Sequence, residues 1–202
     1  MSRLSGPPTL DPRQPIAESA ARSIGYRIDE LLALERHIRD PLRVAELHEM
    51  RIAAKRLRYT MEIFAPLYGK EFAAAIEKVK SIQEQLGSIH DADVLVPEIV
   101  AHIRRELRPA DGAETQGVFG VDLDETAALI ALCRRCRKAR QDTYRAFIRD
   151  WRLLRRTGFF ATLRALRVVG DPPQTPSLHR TGGRHDAGKQ PEAKPAQSEP
   201  VL

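Results

Sequence analysis

Leu47-His48-Glu49-Met50-Arg51-Ile52-Ala53-Ala54-Lys55-Arg56-Leu57-Arg58-Tyr59 is the stretch whose reading decides the fold. At about 100° per residue, His48, Arg51, Lys55 and Arg58 fall near 0°, 300°, 340° and 280°, so all four share one helical face. Tyr59 falls at about 20°, on the edge of that face. Met50, Ala53, Leu57, Met61 and Phe64 gather at roughly 140–220°. The stretch is therefore an amphipathic helix whose polar face is a row of cations. Like charges one turn apart repel by about 0.2–0.5 kcal/mol per pair. A row with so few acidic neighbours predicts an external anion. The plainer alternative is a solvated basic surface, because Arg and Lys are good helix formers.

Working outward, the periodicity is helical throughout, and no stretch alternates at period two with β-branched enrichment. A first helix is expected over 16–38, with Ile24, Ile28, Leu31, Leu32 and Leu34 inward and Pro41 after its end. The basic helix runs over 43–66 and stops near Pro66 and Gly69. A third helix is expected over 70–86, with Phe72, Ile76, Val79, Ile82 and Leu86 inward and Gly87 as its stop. A fourth covers 91–108, capped by Asp91 and closed by Pro109, with Pro97 falling about one turn after that cap. Residues 110–121 read as a loop.

A long fifth helix over 123–156 carries the apolar stripe Leu129, Leu132, Cys136, Ala139, Thr143, Phe147, Trp151 and Leu154. Gly158 ends it, and a short helix with Phe159, Phe160, Leu163 and Leu166 follows. The sum is an all-α, antiparallel four-helix bundle with a short extra C-terminal helix. The domain is assigned to 16–170, between a Pro-rich arm at 1–15 and a polar tail at 171–202 that lacks the apolar content to offset ordering entropy.

Composition narrows the function. The chain has 202 residues and 33 Lys+Arg against 27 Asp+Glu, a formal charge of +6, which favours polyanionic partners. Aromatic residues make up 5%, which argues against a base-stacking nucleic-acid platform. No apolar run reaches the roughly 18–20 residues of a membrane span, and the first residues lack the apolar core of a signal peptide, so a cytoplasmic protein is expected. Two cysteines do not make a disulfide framework. The fifth helix holds a second basic concentration: ten Lys and Arg between Arg134 and Arg156 against Asp142 and Asp150. Beside the second helix it could close a positive groove; spread over many azimuths, its arginines would instead line the outside of the bundle.

His48-x-x-Arg51-x-x-x-Lys55-Arg56-Leu57-Arg58-Tyr59, followed by Phe64-Ala65-Pro66-Leu67-Tyr68-Gly69 and Lys80-x-x-Gln83-x-x-Leu86-Gly87-x-x-His90-Asp91-x-x-Val94, resembles the CHAD family, the conserved histidine α-helical domain. The likeness is densest over residues 47–98 and extends more thinly over 16–168. It implies an all-helical domain that binds inorganic polyphosphate through a basic groove or pore, with occurrence at polyphosphate granules. The resemblance places binding on His48, Arg51, Lys55, Arg56, Arg58 and Lys80, and in second place on Tyr59, Gln83 and the last long helix, including Arg134, Lys138 and Arg145. Family members usually carry two related halves, each with a copy of the basic helix. This chain shows one copy, closer to the second half, so a homodimer with a true two-fold axis is expected. A truncated or degenerate domain is the competing reading.

Arg offers a planar fork to phosphate oxygens and Lys a compact charge, so rows one turn apart suit a repeating chain of phosphates. His48 adds a donor whose protonated form an anion favours, so binding should tighten as pH falls. Other constellations are thinner. Cys133-x-x-Cys136 sits mid-helix without a second pair, and His90-Asp91 with Asp93 reads as a turn and cap rather than a metal site. No catalytic set, metal site or cofactor is expected. Three functions remain in order: a non-enzymatic polyphosphate-binding module, a nucleic-acid-binding basic helical protein, and a metal-dependent phosphoanhydride hydrolase or its accessory subunit.

Overall fold

The structure, a computed structural model, describes residues 6, 8, 9, 11–107 and 122–168. The loop expected at 110–121 and the tail at 171–202 lie outside the described residues, as does part of the arm at 1–15. Residues 11–14 make a turn in which Asp11 Oδ1 accepts the Arg13 amide at 2.9 Å, and the chain then enters the bundle.

Five α-helices follow: α1 (Ile16–Ala33), α2 (Val44–Phe64), α3 (Lys70–Glu106), α4 (Leu123–Arg156) and α5 (Phe159–Ala165). Short 3-10 turns at Glu35–His37 and Ala65–Leu67 follow α1 and α2. The described residues contain no strand, as the periodicity requires. Consecutive helices pack as antiparallel neighbours: α1 on α2, α2 on α3 and α3 on α4. Ile24, Ile28 and Leu31 of α1 meet Leu47, Met50, Ala53, Ala54, Leu57 and Met61 of α2 in one core. Phe72, Val79, Ile82, Leu86 and Ile89 of α3 continue it, and Phe147 and Trp151 of α4 close it with Phe159, Phe160 and Leu163.

One expectation is overturned. The helices expected at 70–86 and 91–108 are a single helix of 37 residues. A glycine costs a helix about 1 kcal/mol relative to alanine, but it ends one only when it turns left-handed. Among the described glycines only Gly158 has that conformation, at φ 67°. Ile82, Leu86, Ile89 and Ile99 carry the buried stripe straight through the supposed break. Asp91 caps nothing, and exposed Pro97 sits inside the helix, where its ring removes one backbone hydrogen bond.

At α4 the punctuation holds. Asp122 Oδ1 accepts from the Asp124 and Glu125 amides at 2.9 and 3.0 Å. Thr157 and left-handed Gly158 end the helix, their amides returning to Leu153 and Arg155 carbonyls. The inward stripe is rotated from the one expected: Cys133 is buried and Cys136 only half-buried, while Ala139 is exposed. Two polar side chains take inward positions instead. Arg140 forks onto the Asp93 carboxylate of α3, with Nη2 to Oδ2 at 3.0 Å, and also donates to the Pro41 carbonyl at 2.8 Å. The Tyr144 hydroxyl donates to the Ile38 carbonyl at 2.6 Å. Desolvation raises the Tyr144 phenol above its usual pKa, with Asp40 adding to the effect. Polar residues that spend their polarity on partners in this way are invisible to a count of apolar positions.

The Arg140 and Asp93 side chains are 14% and 11% exposed, so removing one leaves the other largely desolvated. Asp93→Asn should lower unfolding stability by about 2–3 kcal/mol in a urea titration. A loss below about 0.5 kcal/mol would mean the pair is no better than a surface ion pair.

Candidate functional site

Burial of Leu47, Met50, Ala53, Ala54, Leu57 and Met61 fixes the rotation of α2. That rotation turns His48, Arg51 and Arg58 toward the flank of α3 while Lys55 stays exposed beside them. The antiparallel register sets specific partners. Arg58 Nε donates to Gln83 Oε1 at 2.6 Å. Arg51 lies over Gly87, where an added Cβ would stand 3.9 Å from its Nε. His48 Nδ1 meets His90 Nδ1 at 3.1 Å, with ring centroids 4.3 Å apart. Together these residues line the seam between two helices, with cations on α2 facing Gln83, Gly87 and His90 on α3.

The charges in it are not equivalent. Arg58 is bound by Glu62 at 2.6 Å as well as by Gln83, so the row has an acidic partner that a one-face reading overlooks. Among the described residues, Arg51 and Lys55 make no ion pair within 4 Å. Tyr59 is 43% exposed, with the Arg58 guanidinium 4.4 Å and the Lys55 ammonium 5.6 Å from its ring centroid. The phenol ring thus attracts both neighbouring cations. Lys80 lies on the same side of α3, in a loose pair with Glu77 at 3.6 Å. In the histidine pair one Nδ1 must donate and the other accept, so the facing atoms hold one hydrogen between them.

The remaining expected residues go elsewhere. Arg56 turns toward α1 and binds Glu30 at 2.7 Å. Arg134 and Lys138 are exposed on α4. Arg145, also exposed, reaches Asp142 at 3.4 Å. On α4 these three fall about 140–180° from the direction of buried Phe147, on the outward face. The α4 helix meets α3 through Gln85 and Asp93, whereas α2 meets it through Gln83, Gly87 and His90. The α3 helix packs on both α2 and α4, which do not pack closely on each other, so α4 does not close a groove with the basic row.

His90 and Gly87 are the site residues the sequence reading missed, one taken for a turn and the other for a helix stop. The signal was present: Gln83, Gly87 and His90 recur at i, i+4 and i+7, a helical face running through the supposed break. The described residues bring together no group of three His, Cys, Asp or Glu side chains able to hold a metal ion.

Because an alanine Cβ at position 87 makes only ordinary contact with Arg51, Gly87→Ala should raise stability by about 0.5–1 kcal/mol and leave anion binding unchanged. Gly87→Phe should push the Arg51 guanidinium aside and weaken anion binding. Thermal unfolding and an anion titration of both variants check this; equal binding by wild type and Gly87→Phe would show that the close approach is not needed.

No curated relative and no solved structure shows a significant match to the chain. The family model described as CHAD domain matches residues 1–100. The match covers α1, α2 and most of α3, including every residue of the α2–α3 groove, while α4 and its arginines lie beyond it. The all-helical architecture and the groove-lining motif agree with that match, and the chain is a CHAD-domain protein.

Proposed function

We propose that the chain is a non-enzymatic binder of inorganic polyphosphate and that the α2–α3 groove holds it. The observation that carries the reading is the pair Arg51 and Lys55, cations without ion-pair partners among the described residues, set between Arg58 and the His48–His90 pair. Three cationic side chains at one-turn intervals match an extended anion better than a single phosphate group. The CHAD family is known to bind polyphosphate-related ligands, and CHAD domains are generally binding modules rather than catalysts. Tyr59 and Gln83 act by holding the cations in place.

The same reading gives the chain a second copy as partner, since one basic helix builds half of a paired architecture. Val94 and Leu95 of α3, 52% and 45% exposed, are apolar surface for such a pairing to cover. Association with polyphosphate granules follows from the ligand. No helix among the described residues is long and apolar enough to cross a membrane.

The test is a titration of labelled long-chain polyphosphate. Arg51→Glu/Lys55→Glu should weaken binding by about tenfold or more, because each lost charge-assisted contact is worth about 1.5–3 kcal/mol. Arg56→Glu, whose wild-type side chain is spent on Glu30, should cost less than about threefold. Equal losses in both variants would mean that overall charge, not the groove, governs binding.

A further inference from the structure

A concave surface lies away from the basic row. The α4 helix and the segment after α1 enclose a groove of about 860 Å³. Its rim carries six arginines, Arg39, Arg145, Arg149, Arg152, Arg155 and Arg156. Its floor is Ile38, Tyr144, Ile148 and Trp151. No described residue of α2 or α3 lines it.

The groove is held in shape by contacts of its own. Glu35, its one acidic lining residue, accepts from Trp151 Nε1 at 3.0 Å and from Arg155 Nε at 2.9 Å, so its charge is already engaged. The Tyr144 hydroxyl is fixed on the Ile38 carbonyl. Arg145 and Arg149 pair with Asp142 and Asp150, but both arginines are about three-quarters exposed and such pairs hold weakly. Arg39, Arg152 and Arg156 make no ion pair among the described residues. Six arginines thus line one hollow, and three of them have no carboxylate partner among the described residues. Guanidinium forks match phosphate oxygens, and the volume lies within the roughly 300–1,000 Å³ of small-molecule sites.

We propose that this groove binds a small organic oligophosphate, its phosphates on the arginine rim and its ring on the Ile38–Tyr144–Ile148 floor. A nucleoside triphosphate is the simplest ligand with both parts. An inorganic phosphate chain has nothing to place on the apolar floor, and this separates the groove from the α2–α3 row. The site is independent of that row and stands whether or not the row binds polyphosphate.

Trp151 is the chain's single tryptophan and lines the groove, so the intact protein reports its own occupancy. Titration with adenosine triphosphate, followed by tryptophan emission and by calorimetry, should saturate below about 1 mM. Arg152→Glu/Arg156→Glu should weaken it by about tenfold, and Arg51→Glu/Lys55→Glu should leave it unchanged. Inorganic tripolyphosphate should bind about fivefold more weakly than the nucleotide. Both arginines are exposed, and an unchanged circular-dichroism spectrum verifies that the variant folds. Absence of saturation in both readouts, or undiminished binding by folded Arg152→Glu/Arg156→Glu, would overturn the site. Equal affinity for tripolyphosphate and nucleotide would overturn the organic ligand.

Discussion

The α3 helix cannot break at Gly87, because both of its flanks are occupied at that level: α2 lies along one and α4 along the other. A left-handed glycine there would swing Ile89 and the chain beyond it out of the core that Ile82 and Leu86 enter from the other side. The helix accepts the small cost of glycine in its interior instead. That continuity puts Gln83, Gly87 and His90 on one line, opposite Arg58, Arg51 and His48. It also carries Gln85 and Asp93 to α4, where they meet Asp150 and Arg140. The Asp150 carboxylate is held below its usual pKa by the Gln85 amide and then by Arg149. Its lowered pKa means this contribution is present above the unfolded value and fades as pH falls through the folded one. One unbroken helix therefore both separates the two basic regions and positions the groove between α2 and α3.

The missing side chain at Gly87 has a direct consequence for that groove. The Arg51 guanidinium lies across the backbone of α3 at this point, with room for a methyl group at 3.9 Å but not for a large side chain. Arg51 is thereby held near Lys55 and Arg58, and the energetic cost of crowding cations is met locally by Glu62, Gln83 and the Tyr59 ring. Arg51 and Lys55 are left for a ligand. On α4 the arrangement is different in kind: its arginines surround an apolar hollow instead of forming a line, so the two surfaces suit anions of different shape.

Much of this was legible in the sequence where a residue has a single job. Asp122 and Gly158 bracket α4 because a capping carboxylate and a left-handed glycine have few other uses at those positions. The inward faces of α1 and α2 followed from apolar spacing alone. The basic row was legible because four side chains at helical spacing share one face whatever packs against it. The reading failed where a residue's role depends on a distant element. Gly87 is a stop signal in isolation and a helix-interior residue beneath Arg51 in the fold. Arg140 and Tyr144 look solvent-facing until Asp93, Pro41 and Ile38 arrive to bind them. Arg56 appears to belong to the row until Glu30 claims it from α1.

The most direct measurement is displacement of labelled long-chain polyphosphate from the wild-type protein at physiological salt by three competitors: unlabelled polyphosphate, single-stranded DNA and RNA. All three are polyanions with salt-dependent binding, so net charge alone cannot rank them. A groove with so few ring faces, offering phosphate contacts along one line, predicts displacement by polyphosphate at concentrations where equal phosphate equivalents of nucleic acid have no effect. Equal displacement by DNA or RNA would contradict the account and reduce the basic face to a general polyanion surface.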